Sequence, residues 1–127
     1  MAEGIPAFQP RVYEAPGVGE EYEDGRVFGA VETFTTPDGK KGIIIHEWSS
    51  SFPGHRHSAE ALQWLRGQGY EHITANGVGL IEDGVGDIAT YYWMHMHSKG
   101  LVNELFDDNA GNITPGHNPP QRASLGV

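Results

Sequence analysis

Histidines at two-residue spacing are the residues of this sequence best suited to chemistry. His55 and His57 form one His-x-His pair, and His95 and His97 form a second. In a β-strand, residues two apart lie on the same face, so each pair could direct both imidazoles to one metal ion. In a helix the two rings of a pair would lie about 200° apart around the axis and could not share an ion. With both pairs on strands, the spacing predicts a metal site where the strands meet.

Glu60 is the carboxylate that could complete this site. The chain has no cysteine, so imidazole and carboxylate groups must supply the ligands. Such nitrogen and oxygen ligands suit iron, manganese, nickel or zinc. A regular strand would direct Glu60 to the face opposite His57, so a metal-bound Glu60 requires a β-bulge between them. Without the bulge, Glu60 lies at the surface or supports a ligand from outside the site.

The same segment allows a different interpretation, an anion site. If Ser58 begins a helix, the free N–H groups that follow Pro53 and Gly54 could bind a phosphate together with Arg56. This interpretation uses one histidine pair and leaves the other without a role, so the metal site is favoured. In a third interpretation the histidines lie on solvated turns and form no site.

Aromatic residues accompany the second histidine pair. If His95 points inward on a strand, Tyr91, Trp93 and His97 share its face. Aromatic side chains in a barrel mostly pack in the core, but beside a metal they would also shape a pocket for an apolar or aromatic substrate. Tyr91 could donate a proton or a hydrogen bond there. Tyr91 and His97 are therefore the predicted catalytic residues.

The elements that must position these residues are predicted to be short strands. Residues 26–49 hold two β-type runs around a Pro-Asp-Gly turn, which predicts a hairpin. Asn76-Gly77, between GYEHITA and VGLIED, predicts a second hairpin, and residues 84–87 a further turn. Residues 58–66 and 88–99 are compatible with helix or strand, and their flanking glycines favour strand. With 18 glycines, the chain is predicted to form an all-β barrel or jelly roll of about eight antiparallel strands.

Length and charge set the domain organisation and exclude some partners. A chain of 127 residues fits one domain, predicted at 26–114, between an extended N-terminal arm, 1–25, and a flexible C-terminal tail, 115–127. The net charge of −9 would repel nucleic acid. The sequence has no apolar run long enough to span a membrane and no N-terminal apolar region, so a soluble cytoplasmic protein is expected.

The first histidine pair resembles the first motif of the cupin superfamily. That motif is His-x-His, then Glu after three or four residues, then Gly after six more. Here His55-Arg56-His57 is followed by Glu60 after two residues and by Gly67 after six. The spacing to the glutamate is thus one residue shorter than in the family.

The second pair resembles the second cupin motif, which begins with Gly and reaches its metal histidine after ten intervening residues. Counting from Gly84 leads to His95, and WMHMHSK is similar to the corresponding ending in cupins related to gentisate dioxygenase. Thr90, Tyr92 and Lys99 stand where the family usually has Pro, Gly and Asn. This departure leaves the register of the last strand open, with His97 as the alternative ligand.

The resemblance implies a cupin double-stranded β-helix, a jelly-roll barrel that holds one divalent metal ion. Its ligands would be His55, His57 and His95, with Glu60 as the fourth, and iron would be the favoured metal over manganese, nickel or zinc. The implied function is a metal-dependent enzyme acting on a small organic substrate, with dioxygenase chemistry favoured. The alternatives are a cupin lyase or isomerase and a non-catalytic cupin that binds a small molecule or assists assembly. Cupins commonly exchange N-terminal strands, which implies a homodimer.

Overall fold

The computed structural model describes residues 5–79 and 88–116. Within these ranges the chain forms eight strands and two helices. In chain order they are β1 (Arg11–Ala15), β2 (Gly19–Glu23), β3 (Val27–Thr35), β4 (Lys41–Ile45), β5 (Ser49–Ser50), α1 (His57–Gly67), β6 (Tyr70–Ala75), α2 (Ile88–Ser98), β7 (Glu104–Asp107) and β8 (Gly111–Asn112).

The described strands form a mixed sheet that begins at β1 and ends at β8. Its order is β1-β2-β3-β4-β6-β7-β8, and β5 pairs with β3 beside this path. The strands from β1 to β4 are antiparallel, whereas β6 lies parallel to both β4 and β7. The prediction of a β-rich fold is confirmed. The sheet is not closed, so the barrel that was expected from the turn pattern is not confirmed.

The two segments predicted as strands 58–66 and 88–99 are helices, and that prediction was wrong. Parallel neighbours in a sheet need a long crossover connection, usually a helix. α1 connects β4 through β5 to the parallel strand β6, and α2 connects β6 to β7. In α1, Ala61, Leu62 and Leu65 are buried at helical spacing against the sheet. The helical apolar stripe therefore decides the structure, and Gly69 and Gly100, both with positive φ, follow the ends of the two helices.

The predicted hairpin in residues 26–49 is confirmed. β3 and β4 pair antiparallel, and the connecting turn is closed by a hydrogen bond of 2.8 Å from Thr36 N–H to the Lys40 carbonyl. The hairpin predicted around Asn76-Gly77 is described only in its first strand, β6, whose neighbours in the sheet are β4 and β7. Its second strand and the turn at 84–87 involve residues 80–87, which lie outside the described residues.

The N-terminal segment that was predicted as an extended arm contains a hairpin. β1 and β2 pair antiparallel and β2 continues the sheet beside β3. Of the predicted tail, 115–127, only residues 115 and 116 are among the described residues. Each helix has 11 residues, and neither is long and apolar enough to cross a membrane in the part of the chain that the structure describes.

One face of the sheet carries the hydrophobic core. In β4, Ile43 and Ile45 are buried while Ile44 between them is only half-buried, which is the alternation of a strand covered on one side. Leu62 and Leu65 of α1 belong to the same core as Trp93 and Met96 of α2. Both helices thus cover the same face of the sheet, which brings them beside each other.

Candidate anion site between the two helices

The start of α1 is strained and uncapped. Arg56, the N-cap residue, has φ 61° and ψ 22°, the left-handed conformation that costs L-amino acids about 1–2 kcal/mol. No side chain in residues 5–79 or 88–116 caps the helix. The first helical hydrogen bond runs from Glu60 N–H to the Arg56 carbonyl at 3.2 Å. The N–H groups of residues 57–59 therefore have no acceptor inside the helix and leave the positive end of its dipole open.

A cavity of about 170 Å³ lies between this first turn and the second half of α2. Since a water molecule occupies about 30 Å³, the cavity holds about six atoms of that size, enough for one phosphate group. Basic side chains line it from both helices, and no acidic side chain does so among the described residues, although the chain has a net charge of −9. The lining residues are Arg56, Ser58, Ala59, Tyr92, His95, Met96 and Lys99.

Tyr92 is one of the lining residues, and its hydroxyl is buried beside the cavity. Neither the Tyr92 hydroxyl nor the neighbouring Trp48 indole N–H has a hydrogen-bond partner in the described residues. Burial raises the pKa of Tyr92, and the polar groups of the Ser58 and Trp48 side chains beside it oppose that rise. The hydroxyl therefore stays protonated near neutral pH and can donate a hydrogen bond. A buried donor without a partner is costly in a folded protein, which makes this pair a candidate for ligand contact.

The first predicted pair of metal ligands lies at the start of α1. The rings of His55 and His57 stack, with centroids 5.3 Å apart and an interplanar angle of 14°. In stacked rings the nitrogens lie in nearly parallel planes and do not converge on one point. His57 is only 7% exposed and its Nδ1 atom has no partner in the described residues, whereas His55 is exposed.

The other predicted ligands lie elsewhere. Glu60 accepts a hydrogen bond of 2.9 Å from Arg26, in the turn before β3, and this contact holds its carboxylate as an ion pair. His95 lines the cavity, and His97, two residues later on the same helix, points about 200° away from it. Within the described ranges, no three His, Cys, Asp or Glu side chains gather as a metal site would require. The four predicted ligands are not brought together, and metal binding stays a prediction of the sequence.

The residues predicted to line a substrate pocket are also rearranged by the helix. Tyr91 is 45% exposed and lies outside the cavity lining, while Trp93 is buried in the core. Tyr92, which a strand would place on the face opposite His95, lines the cavity with it. Residues three, four and seven apart share a helix face, so a helical period would have grouped Tyr92, His95 and Lys99 from the sequence alone.

Comparison with known proteins gives no family for this chain. A scan against protein-family models, a search of curated proteins and a search of solved structures each found no match. Function is therefore inferred from the side chains around the cavity and from the elements that hold them.

Proposed function

We propose that this protein binds a small phosphorylated compound through the cavity between α1 and α2. The observation that carries the proposal is the meeting of three basic side chains with an uncapped helix start. Arg56, His95 and Lys99 line the same cavity as the first turn of α1. Free N–H groups at a helix N-terminus and charged donors such as arginine are the groups with which proteins bind phosphate.

The position of the cavity in the fold supports the same conclusion. α1 lies between β4 and the parallel strand β6, and its first turn follows the short strand β5, which the chain enters after the carboxyl end of β4. In open sheets with parallel strands, ligands bind beyond the carboxyl ends of the strands, and anions bind at the N-termini of the crossover helices. The cavity occupies this place in the only βαβ unit whose connection is fully within the described residues.

Charge and size narrow the class of ligand. Arg56 and Lys99 supply two cationic groups, and the helix dipole adds a partial positive charge. A phosphomonoester carries a charge of about −1.5 to −2 at pH 7, whereas a carboxylate carries only one negative charge. Because the cavity holds about one phosphate group, the rest of the ligand would extend outward into solvent.

Charge removal tests this proposal. Inorganic phosphate is titrated into the protein by calorimetry, beside the variants Arg56→Gln and Lys99→Gln. Each variant should weaken phosphate binding about tenfold, because each loses one charge-assisted contact. Lys40→Gln is the matched control, since it removes the same charge from a side chain that pairs with Glu71 at 3.3 Å and does not line the cavity. Equal affinities for all three variants would contradict the proposal.

A metal-dependent enzyme of the cupin type, with dioxygenase chemistry, is the second candidate function. Its support in the structure is the buried Nδ1 atom of His57, which has no hydrogen-bond partner among the described residues. Elemental analysis of protein prepared without an affinity tag, beside His55→Ala, tests it. Near-stoichiometric metal that disappears in the variant is the expected result for this candidate. The same metal content in both proteins would exclude His55 as a ligand.

A further inference from the structure

Tyr92, which lines the cavity, carries a buried hydroxyl that lies beside a second buried hydrogen-bond donor, the indole N–H of Trp48; we call these two groups the inner donors. The Tyr92 hydroxyl and the Trp48 indole N–H are buried without partners in the described residues, and the Ser58 hydroxyl lies close to Tyr92. Trp48 is held in place by the ring of Tyr22, with centroids 4.8 Å apart. The donors therefore belong to packed side chains and not to a loose surface.

Tyr22 is a buried tyrosine whose hydroxyl has an acceptor within the protein. Its hydroxyl donates a hydrogen bond of 2.6 Å to the buried carboxylate of Asp24, which also accepts from the backbone N–H groups of Arg26 and Val27. Tyr92 has no such acceptor among the described residues, although it packs against the same hydrophobic core as Tyr22. Since buried polar groups are nearly always paired in native proteins, the missing acceptor fits a group that a ligand brings.

We infer that the Tyr92 hydroxyl, together with the Trp48 N–H, determines the specificity of this cavity by binding an inner oxygen of a tetrahedral oxyanion. The inference rests on the proposed phosphate site. Both donors are neutral, so they add no net charge to the site. They select between anions by the positions of the ligand oxygens. A phosphate group has three terminal oxygens, of which two can contact Arg56 and the first turn of α1 while the third reaches the inner donors. A planar carboxylate has two oxygens and leaves the inner donors unpaired, which is the kind of mismatch that a binding site rejects.

The variant Tyr92→Phe tests this role. Affinities for inorganic phosphate and for acetate are measured by calorimetry, and the thermal midpoint of the ligand-free protein is measured beside them. Phosphate binding should weaken about tenfold and acetate binding should not change, so the preference for phosphate should fall about tenfold. The thermal midpoint should not fall, because the hydroxyl has no hydrogen-bond partner to lose among the described residues. Trp48→Phe should weaken phosphate binding in the same direction.

Tyr91→Phe is the matched control. It removes a tyrosine hydroxyl from the preceding residue of α2, which does not line the cavity. This control should bind phosphate and acetate like the wild type. Wild-type phosphate affinity in Tyr92→Phe, with Arg56→Gln still weakened, would overturn the inner-donor role and leave the phosphate site standing. A lower thermal midpoint with both anions weakened equally would show a purely structural hydroxyl and overturn the role as well. Absence of phosphate binding in the wild type would overturn the proposed function and this inference together.

Discussion

The two ends of α1 are built in opposite ways. At the C-terminal end, Gln68 and Gly69 donate their backbone N–H groups to carbonyls of the last turn at 3.0–3.1 Å, and Gly69 adopts the positive φ of 95° that a helix stop favours. At the N-terminal end no side chain from the described part of the chain caps the helix, and Arg56 has a left-handed conformation. One end is satisfied within the chain, and the other has N–H donors without acceptors among the described residues.

The arginines at the two ends show the same contrast. The Arg66 guanidinium donates to the carbonyls of Glu71 at 2.7 Å and Gly100 at 3.1 Å, so it ties the end of α1 to β6 and to the turn after α2. The Arg56 guanidinium has no hydrogen bond or ion pair with the residues that the structure describes, and it lines the cavity. An arginine that is bound to backbone carbonyls stabilises the fold. One that is left without partners beside free N–H groups is available to an anion.

Among the variants that test this contrast, Arg66→Ala should have the largest effect on the free energy of unfolding. Loss of the guanidinium leaves backbone carbonyls of β6 and of the turn after α2 without this donor, so the free energy of unfolding should fall by about 2–3 kcal/mol. Phosphate affinity should stay at the wild-type value under conditions where the variant is folded. Urea unfolding followed by circular dichroism measures the change.

The control for Arg66→Ala is Arg11→Ala, which removes an exposed arginine that pairs with Glu23 at 3.6 Å. An exposed ion pair of this kind contributes between zero and about 1 kcal/mol. Similar losses in both variants would mean that the contacts of Arg66 do not hold the C-terminal end of α1.

The parts of the fold that were predictable are those fixed by local chemistry. The β3–β4 hairpin follows from a turn sequence, Thr36 to Lys40, between two β-type runs, and all its contacts lie close along the chain. The helices were missed because the aromatic and β-branched residues of α2 favour strands locally, while the parallel pairing of β6 with β4 and β7 is a long-range property. Tertiary structure here overrides the local preference.

The half of the candidate site whose residues are neighbours in the sequence was predictable, and the half that depends on long-range packing was not. Ser58 and Arg56 were grouped as an anion site from the sequence, because the N–H groups, the cap position and the arginine are neighbours in the chain. Tyr92, His95 and Lys99 come from a second helix, and only the packing of α2 beside α1 brings them to that helix start. The strand predicted for residues 88–99 placed Tyr92 and His95 on opposite faces, so the part of the cavity lining that comes from α2 was not recognised.

The smallest expected effect on stability, and the sharpest test of the contrast between the helix ends, comes from Arg56→Gly. Glycine adopts φ 61° without the steric cost that arginine bears there, so the free energy of unfolding should rise by up to about 1 kcal/mol. Phosphate affinity should fall at least as far as in Arg56→Gln, since the same guanidinium is removed. Urea unfolding and calorimetry on one preparation measure both quantities.

A gain in stability with a loss of phosphate binding would mean that the strained arginine serves the ligand at the expense of the fold, as strained residues at binding sites do. The comparison with Arg56→Gln separates the two contributions, because glutamine removes the guanidinium and keeps the strain. If Arg56→Gly instead lowered stability and left phosphate affinity unchanged, Arg56 would hold the loop before α1. The two ends of the helix would then both serve the fold.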